Sequence, residues 1–433
     1  MPTKFLVLLA CAALLKSIEG LRVPSRLRVK VAAGLMSIGL GISPANADLF
    51  GPPAGLSDLK EKPQNYGRMA DVGVREFVVR NGRQHLREAT PIGQKMYFSS
   101  ANTADLVTKK VTDNLELIRL RLEQVGKTNK PGWNAVGVDM GNAVADITGP
   151  NKAQLAGGNP KKFEETVVKR IPDLVDAVKR NDADETFVLQ EEVAQAFNDI
   201  QVAALPKKKL PYTIPEEYSD LPRLLGRATV DITIESKANK GKGFKFDDPS
   251  SPTGTNSAND QTFTVVIDGY THPLAGGNFI DNVLNKKYDN IPIKAEELIV
   301  QTQTPTNKQG RSVPLELFYK VDEEPTYSIT SDDEGRALDT QRLPFQAYGA
   351  IGMARGEDVD SAQEDFFFLK WRQALVAPGR NTLDGYYSCL GYVVSDNLDL
   401  LGQVEDKGAK IVSAKVVAGA ENLVQGNNNI KAK

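Results

Sequence analysis

The sequence predicts an α+β chain in two parts: a bundle of four or five helices, then an antiparallel β-barrel or sandwich with a few helices. Two observations carry this. Apolar residues recur every three to five positions between about 69 and 205, and from Ala228 onward they alternate every second position. Between the two periods, Pro206, Pro211, Pro215 and Pro222 crowd a short stretch, and proline neither donates a backbone N–H nor tolerates a helix interior.

Residues 1–47 have the composition of a cleaved targeting presequence. Lys4 precedes the short apolar run Phe5 to Leu15, which suits a secretory signal, and Arg22, Arg26, Arg28 and Lys30 precede a second run that ends in Ala45-Asn46-Ala47. Neither run reaches the roughly 20 apolar residues that a bilayer span needs. Two signals in series imply passage through an outer endomembrane and then across a thylakoid; the simpler alternative is one bacterial-type signal. Cleavage after Ala47 removes six of the 53 basic and one of the 55 acidic residues and leaves a net charge of −7. That balance offers no basic patch for nucleic acid. Cys389 then stands alone in an apolar stretch, so an intramolecular disulfide is excluded and an inert buried thiol is expected.

Residues 48–68, rich in Pro and Gly, form an extended lead-in to a helical bundle over 69–205. Its first stripe is Leu106, Val111, Leu115, Ile118, Leu122 and Val125, with Thr103 as the N-cap candidate and Gly126 as the stop. Trp133, Val136, Met140, Val144 and Ile147 make a second stripe, Phe163, Val167, Ile171, Leu174 and Val178 a third, and Val193, Phe197, Ile200 and Ala204 a fourth. The Pro-rich connector spans 206–226. In the second part, over 227–422, Ala228, Val230, Ile232 and Ile234 face one way, 237–260 is polar enough to be an exposed loop, 262–267 is the returning strand, and 276–284 is a helix. Residues 423–433 are expected to be a flexible tail.

Few groups here carry chemistry. His85, on a charged helix, and His272, ahead of Pro273, are expected to be solvated, and with one cysteine they provide no metal cluster. No cofactor is expected: Gly352-x-x-x-Gly356 opens no helix that would receive a phosphate.

The order of Asp268-Gly-Tyr, Gly277-Asn-Phe-Ile, Val300-Gln-Thr, Gly352-Met-Ala, Phe366-Phe-Phe-Leu and Leu383-Asp-Gly-Tyr-Tyr resembles that of a cyclophilin. The lead-in Leu210-Pro-Tyr-Thr-Ile-Pro-Glu-Glu-Tyr with Leu225-Gly-Arg-Ala-Thr-Val-Asp is similar to the multidomain cyclophilins of the thylakoid lumen, which carry a helical bundle ahead of the isomerase-like domain. The resemblance implies an eight-stranded antiparallel barrel, residence in the plastid thylakoid lumen, attachment to the membrane surface without spanning it, and partners among the proline-containing segments of photosystem II core proteins.

It also implies a degenerate site. Rotation about an X-Pro bond crosses ~18–20 kcal/mol, and a donor aimed at the proline nitrogen of the twisted amide lowers that barrier. In active cyclophilins an arginine is that donor. Here the matching position falls on Lys294 or on Ala295, depending on the direction of counting, and neither is a planar fork. The implied peptide-binding positions are Leu298, Ile299, Gln301, Met353, Ala354, Asp365, Phe367, Thr382 and Leu390; Arg355 replaces the family's asparagine, Thr382 its tryptophan and Tyr387 its histidine. An apolar depression lined by Leu298, Ile299, Met353, Phe367 and Leu390 is expected without its electrophile. The leading expectation is therefore a lumenal chaperone or scaffold that assists photosystem II assembly, repair or stability, with little isomerase activity. The alternatives are an isomerase in which Lys294 substitutes for arginine, and a structural extrinsic subunit of photosystem II. The resemblance implies that the bundle docks on the barrel and partly covers its pocket, and the stiff connector gives a physical motive, since Tyr212, Ile214, Tyr218 and Leu221 are costly to leave in water.

Overall fold

The computed structural model describes residues 82–91, 103–125, 131–236, 244–247, 255–296, 298–304, 310–337, 339–370, 383–405 and 408–426. The targeting segments, the lead-in at 48–68, Gly126 and Thr382 lie outside them.

Among the described residues, seven α-helices precede the barrel: α1 (Gly82–Ala89), α2 (Thr103–Val125), α3 (Pro131–Thr148), the single turn α4 (Lys152–Leu155), α5 (Pro160–Thr166), α6 (Ile171–Lys179) and α7 (Ala183–Ala204). Val111, Leu115, Ile118 and Leu122 of α2 close on Val136, Met140 and Ile147 of α3 and on Phe187, Val193, Phe197 and Ile200 of α7. Each such side chain contributes roughly 1.5–3 kcal/mol by leaving water. Leu106 departs from its expected stripe and is 69 % exposed, because it sits in the first turn of α2, before the facing helices begin to cover it. Ala204, at the end of α7, is likewise exposed. The third stripe is one face but not one helix. Pro172 in the first turn of α6 has no N–H to continue the ladder, so a 3₁₀ turn, Val168–Arg170, joins α5 to α6. Asn159 and Asp182 cap α5 and α7, accepting from Lys162 N at 3.1 Å and Glu185 N at 3.0 Å.

The second part is a closed antiparallel barrel. Its strands are β2 (Arg227–Glu235), β5 (Asp260–Asp268), β6 (Ile291–Ala295), β7 (Ile299–Thr302), β10 (Ala350–Met353), β11 (Phe366–Leu369), β12 (Cys389–Val393) and β13 (Lys410–Ala418), in the order β10-β11-β7-β6-β13-β2-β5-β12. Ala228, Val230, Ile232 and Ile234 point inward with Phe263, Val265 and Ile267, as period two requires. Helix α8 (Pro273–Leu284) closes one side with Phe279, Ile280 and Val283, and Phe279 meets Phe366 edge-on at 5.1 Å. Between β2 and β5, where an exposed loop was expected, lies the ribbon of β3 (Phe244–Asp247) and β4 (Thr255–Ala258). Phe244 anchors it by complete burial against Phe263, an apolar contact within a largely polar segment.

Two further strand pairs lie outside the barrel among the described residues. β8 (Glu316–Leu317) pairs with β9 (Thr326–Tyr327). β1 (Arg223–Leu224), inside the Pro-rich connector, pairs with β14 (Leu423–Val424), inside the segment expected to be a free tail. Leu423 packs on the barrel core and Asn422 bonds both Leu225 N and Arg227 O, which holds this stretch in place. In the connector, Leu210 and Tyr212 are buried with Leu205, Tyr270 and Phe318, and Tyr212 Oη donates to Tyr270 O at 2.9 Å.

Helix α1 binds bundle and barrel at once. Toward the bundle, Arg87 is fully buried, with Nε 2.6 Å from Glu116 of α2 and Nη1 and Nη2 at 2.9 and 3.0 Å from the two oxygens of Glu191 of α7. Burial alone would raise the carboxyl of Glu191, but the Arg87 guanidinium, helped by Arg119, holds it down at about 2. Toward the barrel, Leu86 and Ala89 join an apolar cluster on its outer face, Arg83 donates to Val394 O, and Arg227 donates to Leu86 O. His85, expected in solvent, is buried and stacked on Tyr392 at 5.3 Å. Of the charged residues around it, Arg87 faces the bundle, while Arg83 and Glu88 reach Val394 O and Lys320 on the barrel side.

Candidate peptide-binding site

In an antiparallel ladder, residues paired across strands project from the same side of the sheet. The pairs Lys294↔Gln301, Gln301↔Phe367 and Phe367↔Gly352 therefore form one row across β6, β7, β11 and β10. The residues one step away, Ile293, Val300, Phe366 and Met353, fill the barrel interior, so the row lies on the outer face. This alternation decides between the two candidate donor positions. Lys294 points outward beside Gln301, is 52 % exposed and holds Glu296 Oε1 at 2.6 Å, whereas Ala295 packs against the interior cluster.

Phe367 is the centre of an apolar cluster on this outer face. It is buried, stacked on Phe345 at 5.6 Å and met edge-on by Tyr387 at 5.5 Å. Ile299, Ala354 and Tyr387 pack around it, half-buried. Gly352 is required beneath it, because a Cβ there would come within 2.6 Å of Phe345 Cζ and 2.8 Å of Phe367 Cζ. Leu298, in the turn ahead of β7, is 44 % exposed and forms a rim. Gln301 is half-buried on the same face.

Other implied positions lie elsewhere. Met353 and Leu390 are buried inside the barrel, one residue out of phase with the outer row, and cannot line the depression. Asp365 turns to the neighbouring loop, where its Oδ1 accepts from Thr302 Oγ1 at 3.0 Å, Thr304 N at 2.9 Å and Thr304 Oγ1 at 2.7 Å. Two residues that sequence reasoning missed shape the floor. Phe345 lies under Phe367, and Asp384, in the retained Leu383-Asp-Gly, accepts from Phe345 N at 2.7 Å and so holds that ring in place. Burial pushes Asp384 up to about 7 against the pull of this bond. The Asp-Gly pair was visible in sequence, but its partner 39 residues earlier was not.

Beyond the depression, two more buried groups are perturbed. Glu316 holds the start of α8, accepting from Leu274 N at 3.1 Å and Ala275 N at 2.7 Å, and burial pushes it up to about 8 despite these bonds. His272, expected in solvent, is buried at the N-cap of the same helix, and burial pushes it down to about 3. Cys389 is buried in β12 with its thiol pushed up by the apolar surroundings, which leaves it protonated and unreactive. Among the described residues no His, Cys, Asp and Glu cluster can hold a metal ion.

Comparison with known proteins identifies the family of the barrel. The family "Cyclophilin type peptidyl-prolyl cis-trans isomerase/CLD" matches residues 254–421. A protein of Synechocystis sp. named as thylakoid lumen peptidyl-prolyl cis-trans isomerase sll0408 is 36% identical over 339 residues, which cover 73% of this chain and 82% of that protein. The chloroplastic peptidyl-prolyl cis-trans isomerase CYP38 of Arabidopsis thaliana is 28% identical, over 78% of this chain and 74% of its own length. Chloroplastic CYP37 of the same plant is 32% identical, over 59% of this chain and 53% of its own length.

Proposed function

We propose that this chain, which belongs to the cyclophilin-type peptidyl-prolyl isomerase family, works in the plastid thylakoid lumen as a binder of proline-containing segments, with weak isomerase activity. One observation carries the reading. The strand register sets a lysine, already paired with Glu296, at the outward position beside Gln301 and Phe367. An ammonium is a compact charge on a flexible stem and lacks the rigid donor fork that a developing pyramidal nitrogen requires. The apolar floor of Phe367, Ile299 and Ala354 still suits a proline ring.

The relatives named for the thylakoid lumen and the chloroplast support the location. No helix among the described residues is long and apolar enough to cross a membrane. We take the partners to be photosystem II core proteins, and the role to be assistance in assembly, repair or stability.

A pulldown from detergent-solubilised thylakoids, with the chain from Asp48 onward as bait and Phe367→Asp as its control, tests this. Photosystem II core proteins retained by the parent and lost by the variant support it. Retention that ignores Phe367→Asp, at a fixed ratio to intact photosystem II, favours a structural subunit instead.

A further inference from the structure

We propose that Arg355 makes the Phe367 depression selective for proline-containing segments that carry a carboxylate side chain next to the proline. The proposal rests on the peptide-binding reading above. Arg355 leaves β10 immediately after Ala354, and its guanidinium is fixed rather than waving. Nε donates to Tyr386 O at 2.8 Å, Nη1 donates to Gly356 O at 3.0 Å and Glu357 O at 3.4 Å, and Cζ stands 5.2 Å from the centroid of the Tyr387 ring. That ring is the one that meets Phe367 edge-on. A cation is thus held at the edge of the aromatic floor, and no described residue accepts from its Nη2.

A guanidinium cannot shed its proton, so a half-buried one with donors left over attracts an acceptor, and a carboxylate matches its geometry best. Among the described residues no carboxylate pairs with Arg355, and several neighbouring acids are held by other donors. Asp365 is bonded by Thr302 and Thr304, Glu364 by Lys287 at 2.7 Å, Asp332 by Tyr386 Oη, Asp358 by Asp360 N at 2.9 Å and Asp360 by Leu315 N at 3.1 Å. Across the row Lys294 is matched by Glu296. The guanidinium therefore keeps a charged donor for a ligand on the Arg355 side. A proline over Phe367 and Ala354 would bring an adjacent Asp or Glu side chain toward it.

The test uses the chain from Asp48 onward and fluorescein-labelled peptides with Glu-Pro or Pro-Glu at the centre, each beside its Gln and Lys counterparts, read by anisotropy. At low salt, one of the two Glu peptides is expected to bind at least about fivefold more tightly than its Gln counterpart, and the Lys peptide least; ~0.5 M NaCl should erase most of the difference. Arg355→Ala and Arg355→Gln should abolish the Glu over Gln preference, and Arg355→Lys should keep part of it. Wild-type chain that binds Glu, Gln and Lys peptides alike overturns the proposal alone, as does a preference that survives Arg355→Ala and Arg355→Gln. Failure of every prolyl peptide to bind, whatever its charge, removes the peptide-binding reading and this proposal with it.

Discussion

Replacing Lys294 by arginine should raise isomerase turnover, and the strand register says why this position and not its neighbour. A preorganised donor is worth ~10²–10³ in rate, which corresponds to ~2.7–4 kcal/mol of barrier. The wild-type chain should accordingly turn over an X-Pro tetrapeptide at less than about a hundredth of the rate of an ordinary cyclophilin, on that same scale. Lys294→Arg places a planar fork on the outer face beside Gln301. The gain should be about tenfold, not the whole deficit, because Glu296, 2.6 Å from the present ammonium, will compete for the new side chain, and Leu298 and Ile299 stand where the family has Phe and Met. Ala295→Arg is the control. Its side chain would enter the barrel core, so it should destabilise the fold and not activate. Exchange-based or protease-coupled isomerisation, alongside thermal unfolding, reads both variants. Wild-type turnover within tenfold of an ordinary cyclophilin, or activation by Ala295→Arg alone, would refute the reasoning.

Arg87→Met should cost about 3–5 kcal/mol, since it leaves Glu116 and Glu191 buried without their shared cation; urea unfolding that shifts by less than ~1 kcal/mol would show that the network contributes little. Stability should peak on the acid side of neutrality. Asp384 and Glu316, raised from 3.8 and 4.5 to about 7 and 8, bind more protons folded than unfolded in between and so lose stability as pH rises through that window, while His272, lowered from 6.5 to about 3, and Glu191, lowered from 4.5 to about 2, lose it as pH falls. Asp384→Asn should flatten the limb between pH 4 and 7, and a thermal-shift series in which wild type and variant run parallel would contradict the assignment. Cyclosporin should bind weakly or not at all, because the family's tryptophan is Thr382 here and an unmet polar group on the ligand costs ~1–3 kcal/mol; submicromolar affinity by calorimetry would overturn that.

The fold was legible wherever one periodicity governed a long segment. The stripes of α2 and α3 and the alternation of β2 needed no partner to be identified, since burial on one face leaves its period in the sequence. What was not legible depended on contacts far along the chain. Nothing local distinguishes Phe244 in its polar setting from a loop residue, or marks Leu423 as the partner of Leu224. Motif order singled out Gln301 and Phe367, which the register sets side by side on the outer face, but motif order has no phase. Met353 and Ala354 are adjacent in sequence and face opposite sides of the strand, so only the pairing separated a core residue from a surface one.

The histidines show the same limit from the other side. A charged helix is ordinarily a solvated one, and α1, Gly82-Arg-Gln-His-Leu-Arg-Glu-Ala, has that composition. Yet Arg87 is buried between two glutamates contributed by α2 and α7, and the opposite side of the helix lies on Tyr392, Phe345 and Leu343 of the barrel. A short helix with so few apolar residues can hold that place because its charges are matched on arrival. Removing one partner leaves the other charged groups unmatched, whereas an apolar replacement of the whole set need not. The set includes Arg119, buried 3.3 Å from Glu191, so the fourfold change Arg87→Met, Arg119→Met, Glu116→Leu and Glu191→Leu should recover most of the stability lost by Arg87→Met alone. If it does not, the network contributes stability of its own beyond satisfying its members, and α1 is held to the bundle by charge rather than by shape.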